Sequence, residues 1–231
     1  MSSPFDSLAQ RYDRWYDTEK GEAIFREEVA CLRMLCPACR GHWLEVGVGT
    51  GRFADTLGIA EGIDPAAKMR EYAARRGIRV RPGTAGAPPH PDGAFDGVLM
   101  ALTLCFVEDL GRAFRGCFRI LRGGGALLLG IIPADSSWGR HYALKGDEGH
   151  PIYASAHFHT IREVARSAEE TGFVLRDTAG ALFWNPDGAP PPEPRIERGT
   201  VRGAGFAALR FVKPRAGASR KRTEARTLTD A

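Results

Sequence analysis

The residues best suited to ligand chemistry follow the first predicted strand. Glycines stand at alternate positions, Gly47, Gly49 and Gly51, and a helix-like run over residues 52–57 comes directly after them. A strand, a tight turn and a helix in that order bring the backbone close to a ligand, because glycine has no Cβ to block the approach. Asp64 ends the next predicted strand, where a carboxylate is placed to hydrogen-bond a ribose diol. The pattern predicts a nucleoside-containing molecule across the carboxyl ends of a parallel sheet.

The glycine spacing distinguishes two kinds of nucleoside site. A dinucleotide fingerprint would place a third small residue at position 52, which is arginine here, and the chain instead reads Glu45-x-Gly-x-Gly-x-Gly. This segment resembles motif I of the class I S-adenosylmethionine-dependent methyltransferases. The resemblance continues in order through residues 62–65, 92–99 and 119–125. It implies that S-adenosylmethionine is the cofactor, that Glu45 meets its amino group directly or through water, and that the glycine turn holds its methionine part.

The same resemblance implies further contacts to the cofactor. The family's usual acidic-Ala-Glu motif is replaced by Thr84-Ala85-Gly86, so the adenine amino group is expected to meet Thr84 or the backbone of Ala85. The segment Tyr12-Asp13-Arg14-Trp15-Tyr16 matches one that folds over the cofactor in many small-molecule methyltransferases. Tyr12 and Trp15 either stack on the sulfonium, since an aromatic face attracts a cation, or anchor their helix to the core.

Candidate contacts to a methyl acceptor follow the fifth predicted strand. Arg140, His141 and Tyr142 lie in the segment 133–159, which has few regular signals and is long enough to form a lid or binding loop. His141 is suited to take a proton from an oxygen or nitrogen acceptor, and Arg140 to pair with a carboxylate. His157-Phe158-His159 and Lys145 extend the set. The alternative is a packed loop whose polar groups bond to the backbone.

The charge distribution argues against a nucleic-acid surface. Six basic and two acidic residues in the tail 213–231 account for the whole formal net charge of +4, which leaves a neutral body. A neutral body does not suit tracking of phosphates. Base N-methyltransferases often carry an Asn/Asp-Pro-Pro-Tyr/Phe motif where this chain has 101–106, Ala-Leu-Thr-Leu-Cys-Phe. Nucleic acid is therefore not expected as the acceptor, and the tail, predicted to be disordered, either solubilises the chain or docks RNA or a membrane.

The cysteines invite a metal hypothesis that the predicted elements disfavour. Cys31, Cys36, Cys39 and His42 are ligand types that zinc accepts. Cys31 falls inside a predicted helix and His42 begins a strand, so we predict no metal site. Five cysteines, without a predicted signal peptide or membrane span, are typical of reduced thiols in a cytoplasmic protein.

The elements that must position these residues alternate between strand and helix. We predict helices over 5–35 (interrupted at Gly21), 52–57, 65–76, 109–121 and 160–171, and strands at 43–46, 60–63, 78–81, 95–100, 126–132, 173–183 and 205–212. This alternation predicts a Rossmann-like, doubly wound α/β sheet. The resemblance implies seven strands, mostly parallel, with a C-terminal antiparallel hairpin. We divide the chain into a helical cap (1–40), a methyltransferase domain (41–212) and a basic tail (213–231).

The motifs together lead to an expected activity and two alternatives. We expect a methyltransferase that acts on a small-molecule acceptor held between the N-terminal helices and residues 133–159. One alternative is an RNA or protein methyltransferase that docks through the basic tail. The other is a non-catalytic scaffold that binds the cofactor, since a fold does not fix a function. The acceptor, the methylated atom and the oligomeric state stay open at this point.

Overall fold

The chain alternates helices and strands much as its sequence predicts. A computed structural model describes residues 4–36 and 39–215. The helices are α1 (Pro4–Trp15), α2 (Glu19–Leu35), α3 (Arg52–Leu57), α4 (Ala67–Arg75), α5 (Leu110–Ile120), α6 (Ser137–Asp147) and α7 (Ile161–Glu170). The strands are β1 (Trp43–Val46), β2 (Glu61–Ile63), β3 (Arg79–Arg81), β4 (Phe95–Ala101), β5 (Leu121–Ile131), β6 (Val174–Ala181), β7 (Glu197–Arg198) and β8 (Phe206–Val212).

The strands form one sheet in the order β3-β2-β1-β4-β5-β8-β6-β7. The pairs among β1 to β5 are parallel, and β8 pairs antiparallel with both β5 and β6. The predicted Rossmann-like fold with its C-terminal antiparallel hairpin is therefore confirmed. The sheet has an eighth strand that the sequence did not predict, because the two-residue β7 lies in a stretch rich in proline and glycine.

The sheet is buried on both faces, which explains its nearly continuous apolar strands. Successive residues of β4 alternate between the two faces, so Val98 and Met100 lie in one core cluster while Leu99 lies in the other. Helices α5 and α7 cover the first face, and α2 and α3 cover the second. Both faces of the central strands are therefore closed, and their carboxyl ends are left as the place for a site.

The helical cap is interrupted five residues before the predicted break at Gly21. Helix α1 ends at Trp15, and α2 begins at Glu19 with Thr18 as its N-cap. The Thr18 side chain accepts a hydrogen bond from Gly21 N at 3.1 Å. A Cβ at Gly21 would collide with the carbonyl oxygen of Trp15. Gly21 therefore allows the two helices to meet closely and does not itself end a helix.

The segment 133–159 is more regular than the predicted loop. It contains α6, whose N-cap Ser136 accepts from Gly139 N at 2.9 Å. Trp138 and Tyr142 are both buried, and their four-residue spacing places them on one face of α6. The helix was missed because glycines at 139 and 146 weaken the helical pattern. The lid prediction is wrong in its secondary structure.

The structure describes three residues, 213–215, beyond the predicted end of the domain at residue 212. Lys213 Nζ donates to Phe118 O at 2.7 Å and to Leu121 O at 2.6 Å. Most of the basic tail, residues 216–231, lies outside the described residues. Among the helices of residues 4–36 and 39–215, none combines the length and the apolar composition that a bilayer span requires.

Helix α1 is fixed to the glycine turn by a buried carboxylate. Asp13 accepts from Arg52 Nε at 2.9 Å and from Arg76 Nη2 at 3.1 Å. Arg52 also pairs with Asp17 at 2.7 Å, and its guanidinium lies over the Tyr16 ring at 5.4 Å from the centroid. Burial by itself raises the pKa of Asp13, but the hydrogen bonds from Arg52 and its neighbours outweigh it, so the pKa lies below its ordinary value.

Replacing this carboxylate is expected to loosen the cap in a pH-dependent way. Asp13→Asn should lower the free energy of unfolding by about 1–3 kcal/mol near neutral pH, because Arg52 and Arg76 lose a charged partner. A lowered pKa stabilises the fold above the unfolded-state pKa, and this contribution disappears as the pH falls through the folded-state value. Urea unfolding at about pH 7 and about pH 3 should therefore show a smaller difference between variant and parent in acid. An equal difference at both pH values would contradict the ion-pair assignment.

Candidate active site

The glycine turn between β1 and α3 uses its own N–H groups internally. Gly47 N and Val48 N both donate to Ile63 O, at 2.8 and 3.0 Å, and Gly51 N donates to Val48 O at 2.8 Å. Gly47, Gly49 and Gly51 have φ values of 74°, 53° and 86°, a region that other residues rarely adopt. The glycines therefore shape the turn and leave room beside it, and these N–H groups are not free donors for a ligand.

Each glycine of the turn meets a different neighbour. A Cβ on Gly47 would collide with the Thr103 side chain, and one on Gly51 would lie 2.9 Å from Ala73 Cα. A Cβ on Gly49 would have nothing within 4 Å. Gly47 and Gly51 are thus required by packing inside the protein. Gly49 is the position where the turn opens towards a ligand.

Asp64 connects this turn to the end of β2. Its Oδ2 accepts from Gly49 N at 3.0 Å and its Oδ1 accepts from Ala66 N at 2.8 Å. The side chain is 8% exposed, and burial raises the pKa of Asp64 against the opposing effect of these two hydrogen bonds. Each carboxylate oxygen keeps a second lone pair. Asp64 can therefore hold the turn and still accept a hydroxyl from a ligand.

A cavity of about 420 Å³ lies beside the turn, bounded by α1, the carboxyl ends of β1 and β4, and the start of α5. Six of the residues predicted to bind the cofactor line it: Tyr12, Gly47, Gly49, Asp64, Thr84 and Ala85. Met69 and Phe106 add apolar surface. An acidic group at one side, an open glycine and apolar walls fit a molecule with a ribose and an aromatic base. We call this space the donor cavity.

Glu45 and Gly51, which were also expected to bind the cofactor, do not line the donor cavity. Glu45 lies on β1 and is 1% exposed beneath the turn. Its carboxyl group bonds to the backbone of Ala54, and burial raises the pKa of Glu45 well above its ordinary range. Gly51 packs against Ala73 of α4. Glu45 therefore connects β1 to α3, and Gly51 allows the turn to pack closely against α4.

A second cavity, of about 230 Å³, lies between the N-terminal helices and α6. We call it the acceptor cavity. Tyr12, Leu102 and Phe106 line both spaces, so these three side chains form a common wall. Two ligands, one in each cavity, would meet at this wall.

Leu102 holds an unusual backbone conformation at the common wall. Its φ of 54° is left-handed, which is rare for a side chain that is not glycine. Leu102 N donates to Gly130 O at 2.8 Å, and the next residue, Thr103, donates through its hydroxyl to Ala101 O at 3.0 Å. These bonds at the carboxyl end of β4 keep the residue in place. Such strain is concentrated at functional sites.

The three predicted acceptor contacts have different positions on α6. His141 and Tyr142 line the acceptor cavity, whereas Arg140 does not. Arg140 is exposed and donates to Asp135 O at 2.6 Å. Successive residues of a helix point in different directions, so Arg140 faces solvent while Tyr142 faces the protein interior. Arg140 is therefore apart from the cavity that His141 and Tyr142 line. His141 Nδ1 lies 3.4 Å from Asp187 Oδ1, and burial, with Lys145 nearby, lowers the pKa of His141.

The other residues predicted to contact a ligand also differ in whether they line the acceptor cavity. Lys145, His159 and Trp15 line the acceptor cavity, but His157 does not. Trp15 is 36% exposed, so it is a poor anchor for α1. Cys105 also lines the cavity, and burial raises the pKa of its thiol to about 12, which keeps it protonated and a weak nucleophile.

The sequence reasoning missed a buried acid in the acceptor cavity. Glu28 of α2 lines this space and is 2% exposed. A signal was available, since Ile24 and Leu32 lie four residues to either side of Glu28 in the same helix. A charged residue within such an apolar stripe faces the protein interior. Helix α2 was interpreted only as a cap.

The cysteines do not form a common centre with His42. Cys36 Sγ and Cys39 Sγ are 3.8 Å apart, and Cys31 is buried in α2. His42 lies against Glu61 at 3.3 Å and contacts Ala94 O at 3.1 Å. Within residues 4–36 and 39–215, no group of three or more His, Cys, Asp and Glu side chains is arranged to hold a metal ion.

Known proteins resemble this chain in sequence and in fold. The family profile of a methyltransferase domain matches residues 44–129. A crystal structure from Thermotoga maritima, described as a SAM-dependent methyltransferase and possible histamine N-methyltransferase, is 32% identical with a TM-score of 0.83, and the match covers 91% of this chain and 98% of that one. An uncharacterized protein of Mycobacterium tuberculosis is 39% identical over 204 residues, which are 88% of this chain and 72% of the relative. A demethylmenaquinone methyltransferase of Roseiflexus castenholzii is 33% identical over 137 residues, 53% of this chain and 57% of the relative.

Two glycines allow a matched test of the donor cavity. Gly49→Ala and Gly77→Ala both place a side chain at positive φ in open space, and each should cost about 1 kcal/mol of stability. Only Gly49 lines the cavity. Calorimetric titration with S-adenosylhomocysteine should therefore show at least about a tenfold loss of affinity for Gly49→Ala and none for Gly77→Ala. Equal affinity in the two variants would place the ligand away from the turn.

Proposed function

Since the chain belongs to the S-adenosylmethionine-dependent methyltransferases, we propose that it transfers a methyl group to a small-molecule acceptor. The observation that carries this proposal is the wall of Tyr12, Leu102 and Phe106, which is common to the donor and acceptor cavities. A methyl donor on one side would meet an acceptor on the other there. Methyl transfer needs such an in-line approach more than it needs a catalytic triad.

The donor cavity is proposed to hold S-adenosylmethionine, which supplies a methyl group already activated on a sulfonium. Asp64 accepts the ribose hydroxyls, and Thr84 with the backbone of Ala85 meets the adenine. Tyr12 places its ring at the sulfonium side, where an aromatic face stabilises positive charge. Glu45 and Gly51 act by positioning the turn.

The acceptor cavity is proposed to exclude water and hold a small molecule against the common wall. Its lining is largely aromatic and aliphatic, from α1, α2 and α6, with His141 and Tyr142 on the α6 side. The names of two relatives point to two kinds of acceptor, an amine nitrogen and a quinone ring. The five cysteines of the chain are proposed to be reduced thiols in a cytoplasmic setting.

The first experiment is a calorimetric titration with S-adenosylmethionine and S-adenosylhomocysteine, with NADH as the control. Micromolar binding of the first two alone supports the donor assignment. A labelled methyl donor then tests transfer to a panel of amines, phenols, quinols and RNA. Transfer to RNA that is lost at high salt and on deletion of 216–231 would favour the tail-docking alternative. Binding without transfer to any member would favour a scaffold.

Helix α6 offers a matched pair for the acceptor side. His141→Ala should lower kcat/KM for the acceptor about tenfold or more while leaving the affinity for S-adenosylhomocysteine unchanged, because His141 lines only the acceptor cavity. Leu144→Ala, on the same helix but 63% exposed, should change neither quantity. Steady-state kinetics and calorimetry measure the two effects. A fully active His141→Ala would remove His141 from the acceptor site.

A further inference from the structure

Glu28 is a buried acid with no protein partner for one of its oxygens. The residue is 2% exposed on α2, and its Oε2 has no hydrogen-bond partner among the described residues. Its side chain borders the acceptor cavity. An unpartnered carboxylate oxygen in such a place destabilises the protein unless a ligand satisfies it. The position therefore indicates a ligand with a hydrogen-bond donor or a positive charge.

The neighbouring acid shows what a structural role looks like in this helix. Glu27 is equally buried, but its Oε2 accepts from Leu182 N at 3.1 Å and its Oε1 accepts from Trp184 Nε1 at 3.0 Å. Glu27 thus ties α2 to the chain after β6. Glu28, on the next position of the same helix, has no equivalent bond for its Oε2. Fold maintenance accounts for Glu27 and leaves Glu28 unexplained.

Four tyrosines surround the same part of the acceptor cavity. Tyr12, Tyr16, Tyr142 and Tyr153 all line it, and each is close enough to Glu28 for the carboxylate to contribute to raising its pKa. The Tyr12 and Tyr16 hydroxyls are 3.0 Å apart, and the Tyr142 and Tyr153 rings have centroids 4.4 Å apart. Aromatic rings attract cations within about 6 Å of the ring. We call these five residues the Glu28 cage.

Glu28 has no basic side chain as an ion-pair partner among the described residues. Burial and the like charge of Glu27 both raise the pKa of Glu28. The two lysines that line the same cavity have other contacts, since Lys20 Nζ donates to Pro186 O at 2.5 Å and Lys145 Nζ lies over the Tyr142 ring, 5.9 Å from its centroid. A positively charged ligand group would supply the missing partner.

We propose that the Glu28 cage binds a basic nitrogen of the acceptor, so that this chain is an amine N-methyltransferase. The inference rests on the proposed methyltransferase function and names its substrate class. A protonated amine satisfies the carboxylate and interacts with the tyrosine rings. A quinone carbonyl is itself an acceptor, so it could bond only to a protonated Glu28 and would bring no positive charge to the carboxylate.

The cage also gives the proton of the reaction a destination. An ammonium nitrogen has no lone pair for attack, so it first passes one proton to the Glu28 carboxylate. The freed lone pair then forms the nitrogen–methyl bond while the methyl–sulfur bond breaks and its electron pair stays on sulfur. The products are an N-methylammonium ion, an uncharged thioether and a protonated Glu28, which returns its proton to solvent on release. Charge and atoms balance without any further reactant.

The test compares an amine with its neutral counterpart. The protein saturated with S-adenosylhomocysteine is titrated calorimetrically with 2-phenylethylamine and with 2-phenylethanol. We expect the amine to bind at least about tenfold more tightly. Glu28→Gln keeps the size of the side chain and removes its charge, so it should lower amine affinity about 10- to 100-fold and leave the affinity for S-adenosylhomocysteine unchanged. Glu27→Gln is the matched control and should keep the amine preference of the parent.

The outcomes separate this inference from the function on which it rests. If the parent binds S-adenosylhomocysteine but does not prefer the amine, the amine site is wrong and the methyltransferase proposal stands. The parent's preference needs no variant, so it is informative even if Glu28→Gln fails to fold. If Glu28→Gln folds and keeps the preference, Glu28 is not the recognition residue. If S-adenosylhomocysteine does not bind, the proposed function and the amine site both fail.

Discussion

Helix α1 can serve two cavities because the carboxylate of Asp13 anchors it to Arg52 and Arg76. Arg52 begins α3 directly after the glycine turn, and Arg76 follows α4, so one buried acid joins the cap to the helices that follow β1 and β2. Tyr12 precedes Asp13 and lines both spaces. If this anchor were lost, the wall between donor and acceptor would lose one of its three side chains. The arginine that breaks the dinucleotide pattern at position 52 is the residue that holds the cap.

The buried acidic side chains differ in which hydrogen-bond partners their carboxyl oxygens have. Glu27 and Asp64 receive hydrogen bonds from backbone or indole N–H groups at both oxygens, and these bonds stabilise loops and turns. Glu45 and Glu28 each leave one oxygen without a described partner. Glu45 belongs to neither cavity lining, whereas Glu28 borders a cavity where a ligand can reach it. Burial alone therefore does not identify a functional acid, and access to a cavity separates the two cases.

The sheet provides the rigid edge on which this chemistry is arranged. Helices cover both faces of its central strands, and irregular backbone follows the carboxyl ends of β1, β2 and β4. The glycine turn, Asp64 and Leu102 occupy those ends. Leu102 keeps its left-handed conformation between them because Gly130 on β5 accepts its N–H. Positions set by a packed sheet vary less than positions on a free loop, which suits a reaction that depends on alignment.

The sequence by itself determined the fold and the family, and it identified several residues that line the donor cavity. Those features depend on local patterns, since a strand, a glycine turn and an acid at the next strand end are close along the chain and have characteristic spacing. The helical content of 133–159, the exposure of Arg140 and the packing roles of Glu45 and Gly51 were decided by tertiary structure, because each depends on which face of an element meets a neighbour. The Glu28 cage depends on tertiary structure more than any of these features. Its members come from α1, the turn between α1 and α2, α2, α6 and the segment after α6. No local pattern indicates that these elements converge on one carboxylate.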